Sequence, residues 1–494
     1  MRPSFRRPRT TPRPLSRARL RTLAEALGRG DVPLGDEHTD TSVAAVLERV
    51  VDLGDTSQVW LALAVLTAQL PDEITVVEVT RACEFNGAVA LVEQVRRSAD
   101  DAHRDRVVRV VQDAVIVDVA HTVSTPLTTG IQRVARETAR RWVDEHDALP
   151  VSWTSEFEAL RVLTPAERSL LLAGRAADHD LRVSAQGVQE VVVPWRATYL
   201  VPELAAEPAR TARLRALARL SGNRTGAVGF DLVPITTAET TQTGFAAVFA
   251  RNLAAVRDFD TVAAISSAAA SEYEGWRAML AATGVVGPRV VDVPLPVEAP
   301  EPSPEDLARA RARLLVGGLP LVLVVGSHEP RKNHVAVLHA AELLWRDGLK
   351  FSLSFVGGNS WGSDAFRSRL ADLQRSGRPV DSQSRFTDGE LWASYRLARF
   401  TVFPSLNEGF GLPVAESLAV GTPVVTSAYG SMAQIAADGG ALTVDPRDDH
   451  ALSDAMRILL TDDERLAQLQ RGALARPRRT WDDYAATAWS ALVG

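Results

Sequence analysis

The sequence predicts an α/β chain of two doubly wound lobes with a ligand cleft between them and a helical extension in front. Three observations predict it. From about residue 111 short apolar strands alternate with longer amphipathic segments, the pattern of a parallel sheet covered on both faces by helices. The alternation stops at a proline-rich stretch, 288–304, which reads as an inter-lobe linker because proline removes backbone donors and disfavours helix. It then restarts and runs to about residue 475. The expected boundaries are 1–20 for a disordered basic tail, 21–110 for a helical accessory module, 111–300 for the N-terminal lobe, 301–475 for the C-terminal lobe and 476–494 for a closing helix.

Each element follows from its apolar spacing. Leu20, Leu23 and Leu27, then Val43, Val46, Leu47 and Val50, recur at helical intervals, and Ala88–Val95 and Val107–Val111 continue that spacing. Ala114–Val117, Val191–Pro194, Ala227–Val233 and Val262–Ile265 read as buried strands. Ile131–Val143, Leu204–Leu220, Phe245–Val256 and Ala268–Ala282 read as the helices among them. In the second lobe the expected strands are Leu321–Val325, Phe351–Val356, Phe400–Phe403 and Pro423–Thr426. The expected helices are His334–Arg346, Asp364–Ser376, Gly389–Leu397, Leu412–Val420, Asp449–Leu460 and Asp463–Ala475. Ligands in such sheets bind beyond the carboxyl ends of the strands.

Composition bounds the partners. The 494 residues are 46% apolar and 23% charged, an ordinary globular balance. A net charge of -6 speaks against nucleic acid, whose phosphates call for a basic surface. The single cysteine, Cys83, allows neither an intrachain disulfide nor a cysteine-based metal site, which fits a cytoplasmic setting. The longest apolar runs, Trp60–Leu70 and Leu314–Val325, fall short of the ~18–20 residues of a membrane span. The first residues hold many Arg and Pro, no acid before Glu25 and no signal-peptide core. They read as an unfolded tail or as an electrostatic contact with anionic lipid at the inner membrane face.

Two stretches carry chemistry. In 404–416 a strand ends, a glycine-bearing turn follows, and a helix starts near Leu412. Unpaired N–H groups at a helix start form an anion site, and Gly409 and Gly411 let main chain approach a ligand closely. Glu408 lies in the turn and Glu416 about one turn into the helix, so both carboxylates can face one ligand. Carboxylates accept paired hydrogen bonds from vicinal hydroxyls, which suits a sugar or a ribose. In 325–333 a turn follows a buried strand, with Gly326 and Ser327 at its start and Arg331 and Lys332 offering cations to a diphosphate. No His, Asp or Glu cluster has metal-ligand spacing.

Together these residues resemble the retaining GT-B glycosyltransferases of family four, whose hallmark is Glu-x7-Glu, the spacing of Glu408 and Glu416. The likeness covers about 320–475 and includes Gly421-Thr-Pro-Val-Val425 and Val444-Asp-Pro446. It implies the GT-B architecture of two Rossmann-like lobes. It also implies catalytic roles for Glu408, Lys332 and Arg331, with Glu408 on hydroxyls of the donor sugar and the cations on the diphosphate. Glu416 would bind the ribose. Main chain at Gly409, Phe410 and Gly411, with Leu412, Gly326 and Ser327, would line the donor pocket, and the loop Arg385–Asp388 would lie near the base. Thr129-Gly130-Ile-Gln-Arg133 is similar to the glycine loop opening the family's first helix, so Gly130 would reach the diphosphate. Phe230-Asp231-Leu-Val-Pro234 resembles a His-Asp-Leu-Ile-Pro segment of mannosyltransferase-like members, with Phe230 in the histidine position. Asp231 and His121 are the acceptor-side candidates. Ser327 stands where many relatives carry Thr or Arg, and Gln434 where Glu is frequent.

The resemblance implies transfer of a hexose, mannose-like, from a nucleotide diphosphate sugar to a hydroxyl of a glycan or lipid-linked acceptor. It implies retention and needs neither metal nor other cofactor. A non-catalytic scaffold of the same fold and a sugar-nucleotide epimerase are the alternatives.

Overall fold

The structure is a computed structural model that describes residues 16–34, 39–98, 103, 105–124, 130–173 and 190–494. Contacts divide the chain into two compact units: 1–226 with 254–260, and 227–253 with 261–494.

The first unit opens with five helices, α1 (Arg17–Ala26), α2 (Asp40–Val50), α3 (Thr56–Thr67), α4 (Glu73–Asn86) and α5 (Ala88–Arg97). Arg17–Leu20, counted with the expected tail, form the first turn of α1, and residues 1–15 lie outside the described residues. Arg19 is buried and donates to the carbonyls of Leu66 and Arg106, 3.0 Å each, so it is part of the packing. The α/β part comes next: β1 (Val107–Val111), β2 (Val115–Asp118), α6 (Ala120–Val123), α7 (Gly130–His146), β3 (Leu149–Trp153), β4 (Leu160–Val162), α8 (Pro165–Ala173), β5 (Glu190–Pro194), β6 (Thr198–Val201) and α9 (Pro208–Leu220). Val107–Val111, expected within the helical spacing, is a strand. Its four valines are β-branched and prefer extended backbone, and it pairs in parallel with β5. The strand order is β1-β5-β4-β3-β2-β6-β7, where β7 (Arg224–Gly229) straddles the division. The sheet is mixed rather than wholly parallel, because β4 runs antiparallel to both β3 and β5.

The second unit takes up the rest of β7, then α10 (Val233–Thr236), α11 (Phe245–Val256, which ends in the first unit), β8 (Thr261–Ala264), α12 (Ser267–Ala281) and β9 (Arg289–Asp292). β9 pairs in parallel with β8, so the expected linker opens with a strand and lies inside this unit. Next come α13 (Pro304–Leu314), β10 (Leu321–Val325), α14 (His334–Arg346), β11 (Ser352–Val356), α15 (Asp364–Arg375), β12 (Val380–Gln383), α16 (Asp388–Leu397) and β13 (Phe400–Phe403). The unit ends with α17 (Leu412–Ala419), β14 (Val424–Ser427), α18 (Gly430–Ala436), β15 (Ala441–Val444), α19 (Asp449–Thr461), α20 (Asp463–Leu474) and α21 (Trp481–Leu492).

Strands β10 to β15 form a six-stranded sheet, order β12-β11-β10-β13-β14-β15, parallel throughout. β10 and β11 are buried at every position, as expected for a sheet with helices on both faces. Val322, Phe351, Phe355, Phe400 and Val402 pack with Leu338, Leu344 and Met456 into one core. From β10 the chain moves outward to β11 and β12, then crosses back to β13. The order therefore reverses between β10 and β13, and the loops leaving the ends of these neighbours diverge there. That is where a doubly wound sheet offers a ligand crevice.

Candidate functional site

The loops leaving β10 and β13 carry the residues singled out by sequence. After β10 the chain passes Gly326, makes a 3-10 turn at Pro330–Lys332 and enters α14 through Asn333, held in a left-handed conformation at φ 56. After β13 the segment 404–411 leads into α17. The amide of Leu406 donates to the Arg331 carbonyl at 2.8 Å, and Asn333 Nδ2 donates to the Pro446 carbonyl at 2.7 Å. The turn is thus fastened to the segment on one side and to the Val444-Asp-Pro446 stretch on the other.

One carboxylate and two cations meet there. Glu408 Oε1 lies 2.6 Å from Lys332 Nζ, and Glu408 Oε2 lies 2.6 Å from Arg331 Nη1. Ser405 Oγ donates to Glu408 Oε1 at 2.7 Å. Arg331 also donates to Glu329 Oε1 at 2.7 Å and to the Asn407 carbonyl at 2.8 Å. Lys332 Nζ sits 4.9 Å from the Phe403 ring centre. All three side chains are largely buried, at 10% to 18% exposed. Burial works against a charged Glu408, yet Arg331 and Lys332 hold its carboxyl down at about 2. Burial also lowers the Lys332 ammonium, and Glu408 opposes that shift. Glu329 and Glu408 already pair with these two cations. A diphosphate would share these donors rather than find them unused, which five guanidinium and three ammonium hydrogens allow.

Glu416 lies in α17 and is 6% exposed; Tyr395 of α16 donates its hydroxyl to Glu416 Oε2 at 2.9 Å. Gly411 precedes α17 at φ 99, a left-handed conformation that costs a non-glycine residue. Gly409 is required by space. A Cβ there would come within 2.7 Å of Asp231 Oδ2 and of the Phe230 carbonyl oxygen. Asp231 therefore packs over the Glu408–Gly409 turn. Burial pushes its carboxyl up to about 6, with Arg331 opposing and Glu272 and Glu408 adding to the rise. Asn407 Nδ2 bonds Thr236 Oγ1 at 3.3 Å and Glu272 Oε1 at 3.4 Å, joining this turn to the segment around Asp231.

The remaining candidates are spread over both units. Gly326 stands at φ 143 and Ser327 is exposed beside it. Leu412 and Phe410 are half-buried. Phe410 helps line a cavity of about 720 Å³ with Leu295, Val297, Ala415 and Ile435, and neither Glu408 nor Glu416 lines it. The loop before α16 holds Arg385 at φ 59, and Arg313 covers its Phe386 ring at 3.9 Å. Phe230 is buried and apolar. Gln434 donates to Ser267 Oγ at 3.0 Å and accepts from the Ala268 amide at 3.3 Å, near the start of α12. Gly130, exposed at the start of α7, and His121, exposed in α6, belong to the first unit, while Thr129 lies outside the described residues. Among the described residues no group of three or more His, Cys, Asp or Glu could hold a metal ion.

Sequence reasoning missed Ser405, Glu329, Asn407, Glu272 and Tyr395. Ser405 and Asn407 sit inside the 404–416 stretch, and their polarity in a tight glycine turn was the available signal. Glu272 and Tyr395 lie on helices with nothing local to distinguish them.

Residues 308–476 match the family described as glycosyl transferases group 1. The chain is 36% identical over 242 residues to a D-inositol 3-phosphate glycosyltransferase of Acidothermus cellulolyticus, covering 46% of this chain and 53% of that protein. It is 32% identical over 163 residues to the O-antigen chain mannosyltransferase B of Escherichia coli, 33% of this chain and 42% of that one. The chain thus spans about half the length of the curated relatives it matches. Among solved structures, sucrose-phosphate synthase of Thermosynechococcus elongatus superposes with a TM-score of 0.51 at 17% identity, over 77% of this chain and 96% of that one. HepE of Anabaena, solved with UDP and glucose, gives 0.52 at 13% identity, with the same shares of 77% and 96%. These structures establish the fold. Residues 308–476 thus carry the likeness to the group 1 glycosyl transferases, and the two parallel-rich sheets share the GT-B fold of these structures.

Proposed function

We propose that this chain transfers a hexose from a nucleoside diphosphate sugar to a hydroxyl of a glycan or lipid-linked acceptor, with retention at the anomeric carbon. The observation that carries this reading is Glu408 held between Arg331 and Lys332, 2.6 Å from each, where the six-stranded sheet reverses its order. Leaving-group departure puts negative charge on the diphosphate, and buried, pre-positioned cations stabilise such charge most strongly. The start of α17 adds the positive end of its helix dipole. Glu408, fixed and ionised, accepts hydrogen bonds from sugar hydroxyls, and Glu416 accepts those of the ribose. The protein supplies orientation and counter-charge, and the leaving phosphate oxygen takes the acceptor proton. Asp231, packed over Gly409, serves the acceptor side. A uridine nucleotide and a mannose-like or glucose-like sugar are the first donors to test, given HepE bound to UDP-glucose and the mannosyltransferase among the relatives.

Thermal shift against UDP, GDP and ADP and their hexose conjugates tests the donor site, because a ligand of the folded state raises the midpoint by mass action. At least one should raise it, and the matching sugar should move to an added acceptor. No shift from any of them, or a donor sugar epimerised in the absence of acceptor, would reject the reading. The Arg-rich residues 1–15 supply the contact with an anionic membrane. Sedimentation with acidic liposomes should weaken when they are removed; equal pelleting rejects that contact.

A further inference from the structure

The donor-site reading gives Glu416 a partner, and that partner has its own support. Tyr395 is fully buried, and its hydroxyl donates to Glu416 Oε2 at 2.9 Å. The main chain of Tyr395 is fastened in turn. Thr422 Oγ1 donates to the Tyr395 carbonyl at 2.8 Å, Ser417 Oγ donates to the Thr422 carbonyl at 2.9 Å, and Thr401 Oγ1 donates to Ser417 Oγ at 2.7 Å. This chain of bonds runs through buried side chains of β13, α17 and the Gly421-Thr-Pro turn to the Tyr395 main chain. The ring is held as well, since Trp392 stands 5.9 Å from the Tyr395 ring centre within one apolar cluster. A carboxylate on a short helix swings about three torsions. A bond from a fixed phenol selects one rotamer and removes the entropy of the others. A carboxylate has about four lone-pair sites, so a bond from Tyr395 and bonds from sugar hydroxyls are compatible.

We infer that Tyr395 is a positioning residue: by holding Glu416 it sets the site's preference for ribonucleoside over deoxyribonucleoside diphosphate donors. The inference rests on Glu416 receiving the ribose, and it goes further by naming what orients that acid and which donor class is preferred.

Calorimetric titration of the full chain with UDP, GDP and ADP and with their 2′,3′-dideoxy forms separates these claims. In the wild type the tightest of the three weakens when its ribose hydroxyls are removed. Tyr395→Phe weakens that ribonucleotide about tenfold, the scale of one hydrogen bond to a charged group, and leaves the dideoxy form unchanged. In a Glu416→Ala background Tyr395→Phe adds nothing. An equal loss on both nucleotide forms assigns Tyr395 to packing alone and overturns the inference, as does no loss at all. Equal wild-type affinity for both forms removes the ribose from Glu416, and the inference with it, while leaving diphosphate binding intact. Failure to bind any of the three removes the donor site itself. Should Tyr395→Phe not fold, Thr422→Val, which releases the tyrosine main chain, must give the same ribose-confined loss.

Discussion

At Glu408 the arithmetic of burial and charge is sharp. An isolated buried carboxylate would neutralise itself, but two cations at 2.6 Å keep this one ionised, at about 2 against an ordinary 4.5. A carboxyl whose folded value is depressed stabilises the fold fully above its unfolded value. That support fades as pH falls from about 4.5 towards 2. Asp231 behaves in the opposite sense. Its value is raised from 3.8 to about 6, so its ionised form burdens the folded state, fully above pH 6 and not at all below about 3.8. Asp231→Asn should therefore raise the thermal midpoint at pH 7 to 8, and the gain should vanish near pH 4. A pH-independent difference in calorimetric scans would contradict this assignment. His334, pushed to about 3 by burial and by the nearby His328 and Lys332, stays neutral throughout that range and does not confuse the reading.

Elements explain both what could be read in the sequence and what could not. The turn before α17 was legible because its demands are local: a left-handed residue at 411, close approach at 409, and an acid on either side of the helix start. Gly409→Ala should cost about 1–3 kcal/mol, since its methyl would displace Asp231 or the Phe230 carbonyl. Unchanged denaturant unfolding would contradict that packing. Val107–Val111 was misplaced because apolar spacing over five residues fits helix and strand alike, and only pairing with β5 decides. β3, β4 and β6 escaped for the same reason, since three to five residues are too few for a period to show. The buried cluster in the first unit was also invisible. Arg210 bonds Asp118 at 2.9 Å and Glu203 at 2.8 Å, all within 3% exposure, and Glu203 Oε1 and Oε2 take the amides of His121 and Thr122 at 2.7 Å each. These residues lie up to 92 positions apart, from 118 to 210, so no motif connects them. Arg210→Ala leaves two buried carboxylates without their cation and should cost about 3–5 kcal/mol, measured by urea unfolding. A loss under 1 kcal/mol would mean that the cluster contributes little.

For the whole molecule, the proline-rich stretch did not mark the division of contacts, which falls inside β7 at 226 and 227. Among the described residues no helix is long and apolar enough to cross a membrane. The helices ahead of β1 are joined to α9 by side chains, since Arg213 Nε donates to the Leu70 carbonyl at 2.9 Å and Arg215 Nη2 lies 3.2 Å from Glu73 Oε2. The chain's chemistry, by this account, is concentrated where β10 and β13 diverge. The most direct measurement is therefore turnover of the nucleotide sugar chosen by thermal shift, in folded Glu408→Ala and Lys332→Ala chains. Each should fall at least ~10²-fold, the scale on which lost charge-stabilising groups act. Wild-type turnover in both would contradict the account.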